Sequence, residues 1–251
     1  MRILVVNANT SNVVTEKVTA EAQAAAAPDT TIVAVTGTFG ARVIGTRSEH
    51  AIAEHSTIAL VAGNSAGCDA VVVAVSYDTG VRGARELLSI PVVGMTEAGL
   101  LTACMLGGRI GVVTFGRRVL PLYHELVASY GLAARIAGWR VLESTAAYGR
   151  GAHPGLDREI IAAANDLVVH DFAETIVLTG AVMAGVPRRL QRDVPVPIID
   201  CIGCGVRQAE LLAGLALPKP SAGSYAAPAG RELVAVDPAI AACFARATEA
   251  R

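Results

Sequence analysis

The chain has 251 residues, of which 53% are hydrophobic, and its formal net charge at pH 7 is -1. A chain of this length can bury a sizeable core in one large domain or two small ones. The near-zero charge and the lack of a basic run argue against nucleic acid or an anionic membrane surface as a partner. No apolar run reaches 18 residues, and the N-terminus has no charged segment followed by an apolar one, so we expect neither a membrane anchor nor a leader.

Cysteine usage indicates a reducing compartment. The cysteines are odd in number and lie mostly in apolar segments: Cys68, Cys104, Cys201, Cys204 and Cys243. This pattern predicts a cytoplasmic protein with reduced thiols. No further Cys or His stands at a metal-ligand spacing beside them, and no dinucleotide-binding or phosphate-binding glycine motif occurs. We therefore expect no metal and no cofactor.

Short apolar runs rich in β-branched residues alternate with helix-length segments. In the first half, the strands are "ILVV", "TIVAVT", "AVVVAV" and "PVVGM", with helices predicted over 13–27, 49–66 and 81–88. In the second half, the strands are "RIGVVTF", "ETIVLTG" and "VPIID", with helices over 119–130, 156–170 and 201–215. The tail "PKPSAGSYAAPAG" predicts a surface loop before a short last helix. Strands that are apolar throughout are typical of a parallel sheet covered on both faces.

The two halves can be laid over each other at an offset close to one hundred residues. "ILVVNANT" matches "IGVVTFGR", "VVVAVSY" matches "IVLTGAV", and "IPVVGMTEAG" matches "VPIIDCIGCG". The sequence thus predicts an α/β protein of two pseudo-symmetric, doubly wound parallel-sheet lobes. The first lobe is expected to comprise 1–97 plus 216–251 and the second 98–215, with a linker near 96–108. The 201–215 helix is expected to cross back to the first lobe.

Functional loops in open parallel sheets leave the carboxyl ends of the strands. Facing lobes would place the segments 7–11, 76–80, 114–117 and 180–183 around one cleft, with Ser76 opposite Gly180. "NANTS" (Asn7–Ser11) can offer backbone N–H groups to an anionic or carbonyl ligand, or simply cap a helix. Thr114 would line the same cleft.

"SYDTG" (Ser76–Gly80) follows a buried strand directly. An unassisted serine hydroxyl is a poor base, and no histidine lies near Ser76 in sequence, so we expect Ser76 to hydrogen-bond a ligand or cap a helix. Asp78 can orient the loop, bind substrate or form an ordinary turn. "TGAVMAG" (Thr179–Gly185) can present N–H groups to a carboxylate or an oxyanion, or form a tight turn. The Cys-x-x-Cys at Cys201 favours buried packing over a reactive thiol.

Together these segments resemble the Asp/Glu/hydantoin racemase superfamily, in particular its hydantoin and allantoin racemase branch. "VVNANTS" is similar to that branch's Asn-Pro-Asn-Thr-Ser element, with Ala8 in place of proline. "SYDTGVRGARELLSIPVVGMTEAG" resembles its Cys-Phe-Gly-Asp-Pro-Gly segment and the helix and strand after it, and "IVLTGAVMAG" resembles its Ile-Val-Leu-Gly-Cys-Ala-Gly-Met segment. The similarity covers nearly the whole chain.

The resemblance implies cofactor-independent racemisation at the carbon α to a carbonyl or carboxylate of a small hydantoin-like or amino-acid-like substrate, in a homo-oligomer. In that family two cysteines, one from each lobe, exchange the proton on opposite faces. Here the two catalytic positions are Ser76 and Gly180, so the two-cysteine mechanism is not available; we interpret these replacements as divergence rather than engineering. The expected substrate-binding residues are Asn7, Asn9, Thr10, Ser11, Tyr77, Asp78, Thr114, Thr179 and Ala181.

Three hypotheses follow from the two replacements. The first is a diverged decarboxylase, cis–trans isomerase or lyase that uses hydroxyl and backbone N–H groups. The second is a racemase or epimerase with a relocated thiol from Cys201 or Cys204. The third is a catalytically silent, ligand-binding relative. The whole-chain resemblance ranks a racemase-like isomerase first.

Overall fold

The computed structural model describes residues 1–143, 154–228 and 230–246. Within these residues lie two four-stranded parallel sheets. The first has the order β2-β1-β3-β4, from β1 (Arg2–Asn7), β2 (Thr31–Thr36), β3 (Ala70–Val73) and β4 (Val92–Gly94). The second has the order β6-β5-β7-β8, from β5 (Ile110–Phe115), β6 (Ile136–Leu142), β7 (Thr175–Leu178) and β8 (Ile198–Asp200). The identical orders confirm the predicted pair of similar α/β lobes.

Helices cover both sheets. They are α1 (Asn12–Ala25), α2 (Arg47–Asn64), α3 (Val81–Leu87), α4 (Met95–Leu106), α5 (Leu120–Ser129), α6 (Pro154–Asp171), α7 (Val186–Leu190), α8 (Cys201–Leu215) and α9 (Pro238–Arg246). Short 3₁₀ turns precede α5 (Arg117–Val119) and follow β7 (Ala181–Met183). No helix within the described ranges is long and apolar enough to cross a membrane.

The central strands are buried on both faces, as their unbroken apolar sequences predict. Every residue of β3 and β7 is buried, and β1 is buried from its second residue onward. The lobes also pair their strands in equivalent registers, with Ile3 opposite Ala70 in the first and Ile110 opposite Thr175 in the second. The carboxyl ends of β1, β3, β5 and β7 therefore deliver their loops to corresponding places.

Two predictions about the chain path were incomplete. The chain passes between the lobes at the expected 96–108, but this linker is a helix, α4, which begins at Met95 and ends at Leu106. The edge strand β6 was not predicted, because all seven of its residues are only half-buried and its sequence, "IAGWRVL", lacks a clear apolar run.

Helices α4 and α8 join the lobes by crossing in opposite directions. Helix α4 leaves the first sheet and contacts β7 and β8, while α8 leaves the second sheet and contacts β3 and β4, as predicted for α8. The two helices pack closely because Gly99 faces Cys201, where a Cβ would lie 2.6 Å from the thiol sulfur. The predicted lobe boundaries stay a prediction, and residues 144–153, 229 and 247–251 of those ranges lie outside the described residues.

Candidate functional site

A cleft of about 450 Å³ lies between the lobes at the carboxyl ends of the strands. Its walls are largely apolar. The lining residues come from loops of both lobes: Asn9, Ser11, Val13, Val14, Arg42, Val43, Ile44, Gly45, Ala74, Val75, Ser76, Tyr77, Phe115, Gly116, Arg118, Val119, Tyr123, Glu143, Gly180, Ala181 and Val182. The cleft thus has the size and composition of a small-molecule site.

The loops after β3 and β7 meet across this cleft. The Ser76 Oγ atom accepts a hydrogen bond from the backbone N–H of Ala181 at 3.1 Å. Gly180, the preceding residue, has φ = 106°, a conformation that L side chains rarely adopt. A Cβ added there would find its nearest neighbour, Met183, at 3.4 Å. The serine and glycine loops therefore face each other. On the glycine side, only backbone atoms border the cleft at position 180, and no side chain there can transfer a proton.

Tyr123, on α5, lies beside Ser76 at the base of the cleft and was missed by the sequence analysis. Burial raises the pKa of its phenol to about 12, against the opposing effect of the Thr179, Ser76 and Thr114 hydroxyls. The phenol is therefore a proton donor at neutral pH. The one sequence signal for it is weak: it lies on the buried face of the helix after β5, where a packing role is the usual explanation.

Tyr77 forms a wall of the cleft and packs against Tyr123, with their ring centroids 4.7 Å apart. Burial raises the pKa of the Tyr77 phenol above its usual range. A second cavity, of about 420 Å³, lies on the other side of Tyr77. There His50 contacts the Tyr77 ring edge-on, and its Nδ1 lies 3.0 Å from the Thr79 hydroxyl. Burial lowers the pKa of His50, so it supports this loop as a neutral ring.

The loop after β1 is only partly in the cleft. Asn9 and Ser11 line it, and Ser11 takes the N-cap position of α1 without a side-chain capping hydrogen bond. Asn7 is buried, and its amide donates to Asn9 Oδ1 at 3.0 Å and to Thr15 Oγ1 at 3.0 Å. Asn7 and Thr10 are not among the cleft-lining residues. In the structure Asn7 holds the loop in shape, and a contact of Asn7 or Thr10 with substrate stays a prediction.

Asp78 also lies away from the cleft lining. Its carboxylate accepts hydrogen bonds from the backbone N–H groups of Thr96 (2.9 Å) and Glu97 (2.7 Å), and from the Tyr130 hydroxyl (2.8 Å). It therefore caps α4 across the loop, in line with the loop-orienting role that was one of those predicted for it, and a contact with substrate stays a prediction. Burial raises the pKa of Asp78 to about 7, although these donors lower it.

Thr114 and Thr179 are buried side chains behind the cleft wall and do not line it. The Thr179 hydroxyl donates to the Val113 carbonyl at 3.3 Å, and the buried Thr114 hydroxyl faces the Tyr123 phenol. Of the expected substrate-binding residues, the structure brings Asn9, Ser11, Tyr77 and Ala181 to the cleft, together with Ser76 and Gly180.

No cysteine of the described segments lines the cleft. Cys201 is buried beneath the Gly180 loop, its thiol donates to the Leu178 carbonyl at 3.7 Å, and burial raises its pKa. Cys204 is half-buried on α8, and burial raises its pKa as well. The structure therefore gives no support to a thiol relocated from this helix. The residues described also hold no cluster of His, Cys, Asp and Glu suited to a metal ion.

Comparison with known proteins identifies the class to which this fold and cleft belong. A family profile described as "Asp/Glu/Hydantoin racemase" matches residues 3–209. The chain belongs to the Asp/Glu/hydantoin racemase family, as its motifs predicted.

Among particular relatives, the chain is similar to a hydantoin racemase of Paenarthrobacter aurescens, with 34% identity over 92% of this chain and 99% of the relative. Its fold is similar to the crystal structure of an allantoin racemase from Pseudomonas fluorescens, with a TM-score of 0.88, 33% identity, and coverage of 93% and 100% of the two chains. An allantoin racemase from Klebsiella pneumoniae gives a TM-score of 0.89 at 32% identity, covering 96% and 98%.

Proposed function

We propose that this protein is a cofactor-independent racemase that acts at the carbon next to a carbonyl of a small cyclic ureide, such as a hydantoin or allantoin. Relatives bearing those names match almost the whole chain. The observation that carries the proposal is the contact between the Ser76 hydroxyl and the Ala181 N–H, because it joins the two lobes at the positions where the family resemblance places the reacting groups.

The cleft supplies hydrogen-bond donors for an enolate. Removing the α-proton of a cyclic ureide places negative charge on the adjacent carbonyl oxygen, and preorganised donors stabilise such a charge. The donors here are the Tyr123 phenol and the Ser76 hydroxyl, whose oxygen is held by the Ala181 N–H. Because neither hydroxyl is ionised at neutral pH, both act as donors, and the proton that leaves carbon passes to solvent water. A proton returned by water to the opposite face gives the other enantiomer.

We also propose a cellular location and an oligomeric state for the protein. Cysteine usage supports a cytoplasmic location. Large apolar side chains exposed on α4 and α8, such as Met105 and Leu211, support a homo-oligomer. Light scattering coupled to size-exclusion chromatography measures the mass in solution; a monomer at micromolar concentration would contradict this part of the proposal.

The experiment uses enantiomerically pure allantoin and 5-substituted hydantoins in deuterated buffer. Proton NMR measures loss of the α-hydrogen signal, and chiral chromatography measures inversion. We expect both to exceed the buffer rate, and to fall in Ser76→Ala. Release of carbon dioxide from substituted malonates without ureide inversion would favour the decarboxylase alternative. Ureide binding without exchange would favour the silent relative, and either result would contradict the proposal.

A further inference from the structure

Two arginines from opposite lobes line the cleft. Arg42 lies in the loop after β2, and Arg118 lies in the 3₁₀ turn after β5. Both side chains are largely exposed to solvent, as expected for groups at the mouth of a cleft rather than at its base. The cleft therefore has a positive group on each side of its opening.

Neither guanidinium is neutralised by a neighbour in the described part of the chain: no ion pair or side-chain hydrogen bond joins Arg42 or Arg118 to a residue there. Glu143 is the one carboxylate among the lining residues of the described segments, and Arg117 holds it through Nε at 2.8 Å. The undescribed segment that follows Glu143, residues 144–153, contains no Asp or Glu in its sequence. As far as the described residues go, the charges of Arg42 and Arg118 are thus open to a ligand.

The apolar walls of the cleft strengthen the attraction of these two guanidinium groups for an anion. They carry apolar side chains such as Val43, Phe115 and Val182, and low-dielectric walls concentrate the field of charges at their edge. A guanidinium presents a planar fork that matches a carboxylate. The reacting region around Ser76 holds neutral hydrogen-bond donors only. A carboxylate bound by the two arginines would therefore be carried by the part of the ligand that lies near the cleft opening.

We propose that the cleft selects cyclic ureides whose ring substituent ends in a carboxylate, held between Arg42 and Arg118. This inference rests on the proposed function, since it names the substrate class of the same cleft. It predicts a preference for the acid over a neutral substituent of equal size, decreasing with added salt.

Titration calorimetry with hydantoin-5-acetic acid and hydantoin-5-acetamide tests the preference, with succinate and succinamide as a pair that lacks the ring. We expect the acid of each pair to bind about tenfold more tightly at low salt. Arg42→Gln and Arg118→Gln should each reduce this ratio, and the double variant should abolish it without changing the affinity for the amide. Arg192→Gln, an exposed arginine away from the cleft, is the matched control and should keep the ratio.

Hydantoins that bind with no preference for the acid would overturn the inference and leave the proposed function intact, as would a preference that survives in the double variant. If no hydantoin binds, yet succinate still exceeds succinamide in the wild type and not in the double variant, the ureide assignment fails and the arginine pair's selection of an anion stands.

Discussion

Ser76 lies in the loop after β3, where the motif that it resembles has a cysteine, and its oxygen accepts a hydrogen bond from the Ala181 N–H of the opposite lobe. A hydroxyl group in this place donates and accepts hydrogen bonds but does not ionise at neutral pH. Gly180 contributes no side chain on the facing loop. The chemistry available to these residues is therefore stabilisation of an anion, with protons exchanged through solvent.

Replacing Tyr123 with phenylalanine tests the buried donor. We expect kcat/KM for exchange to fall about 10- to 100-fold, because one donor to the enolate is lost. The pKa of about 12 keeps the phenol protonated, so the wild-type profile should not fall with Tyr123 ionisation below pH 10. Tyr130→Phe is the control: it loses a hydrogen bond to Asp78 outside the cleft and should change stability but not exchange. Equal activity of Tyr123→Phe and wild type would rule out the donor role.

Ser76→Cys places a thiol on one face only, since Gly180 still offers none on the other. A thiol has an ordinary pKa of about 8.5, so the variant gains a base at mildly alkaline pH. We expect deuterium to enter the α-position with retention of configuration faster than inversion occurs. The ratio of exchange to inversion, from NMR and chiral chromatography, should rise above that of the wild type. Inversion that keeps pace with a faster exchange would contradict the facing-loop geometry.

Among the elements, the crossover helices α4 and α8 are each capped by a carboxylate, that of Asp78 buried and that of Asp200 half-buried, and the two come from different positions. Asp200, at the end of β8, accepts hydrogen bonds from Ile202 N–H (2.9 Å) and Gly203 N–H (3.1 Å) of its own helix. The matching position in the first lobe is Gly94, and Asp78 from the preceding loop caps α4 instead. Each capping residue also fixes a loop beside the cleft. Asp78 belongs to the loop after β3, and Asp200 accepts a hydrogen bond from Gly185 N–H, in the loop after β7, at 2.7 Å.

The close approach of Asp78 to Gly94 predicts a glycine requirement. A Cβ at position 94 would overlap the Asp78 carboxyl group. We expect Gly94→Ala to lower the free energy of unfolding by about 2 to 3 kcal/mol, through loss of the α4 cap. Gly63→Ala, in helix α2 with no atom within 4 Å of the new Cβ, should instead stabilise by up to about 1 kcal/mol. Denaturant unfolding compares the two; a Gly94→Ala chain as stable as wild type would refute the contact.

Asp78 should also make stability depend on pH. Its folded pKa of about 7 lies above the ordinary value of 3.8, so the folded state holds the proton more tightly than the unfolded state. The stabilisation is complete below about pH 4 and is lost as pH rises to about 7, by an amount on the order of 3 kcal/mol. Asp78→Asn should flatten the free energy of unfolding over this range. Parallel pH curves for variant and wild type would show that burial does not raise this pKa.

Strands that are buried on both faces could be predicted from the sequence, whereas an edge strand of half-buried residues could not. Two central strand segments are buried on both faces, Val71–Val73 and Ile176–Leu178, so their unbroken apolar sequences predict central strands. Strand β6 pairs on one side only and carries Trp139 and Arg140 among half-buried neighbours, so no periodicity marks it. The helical form of the linker α4 was not predicted, because its cap comes from Asp78, 17 residues before Met95, and not from the adjacent sequence.

At the scale of the whole molecule, the repeated strand pattern predicted both lobes and the meeting of Ser76 with the Gly180 loop. It did not identify Tyr123, Arg42 or Arg118, which reach the cleft through the packing of α5 and of two loops. It also assigned Asn7, Asp78, Thr114 and Thr179 to substrate, whereas these polar side chains are buried behind the lining. The positions of the strand ends in the sequence predict which loops lie together at the cleft. The direction of each side chain in those loops depends on tertiary contacts, which the sequence pattern does not give.

The central claim is that the cleft promotes proton exchange at the α-carbon of a cyclic ureide without a cysteine. The most direct test is the rate of deuterium incorporation and inversion, measured with enantiopure hydantoin or allantoin on wild type and on a Cys201→Ala/Cys204→Ala variant whose fold is checked by circular dichroism. We predict equal rates for the two proteins, each well above that of Ser76→Ala. A folded double variant that has lost exchange, beside a Ser76→Ala chain that retains it, would contradict the account.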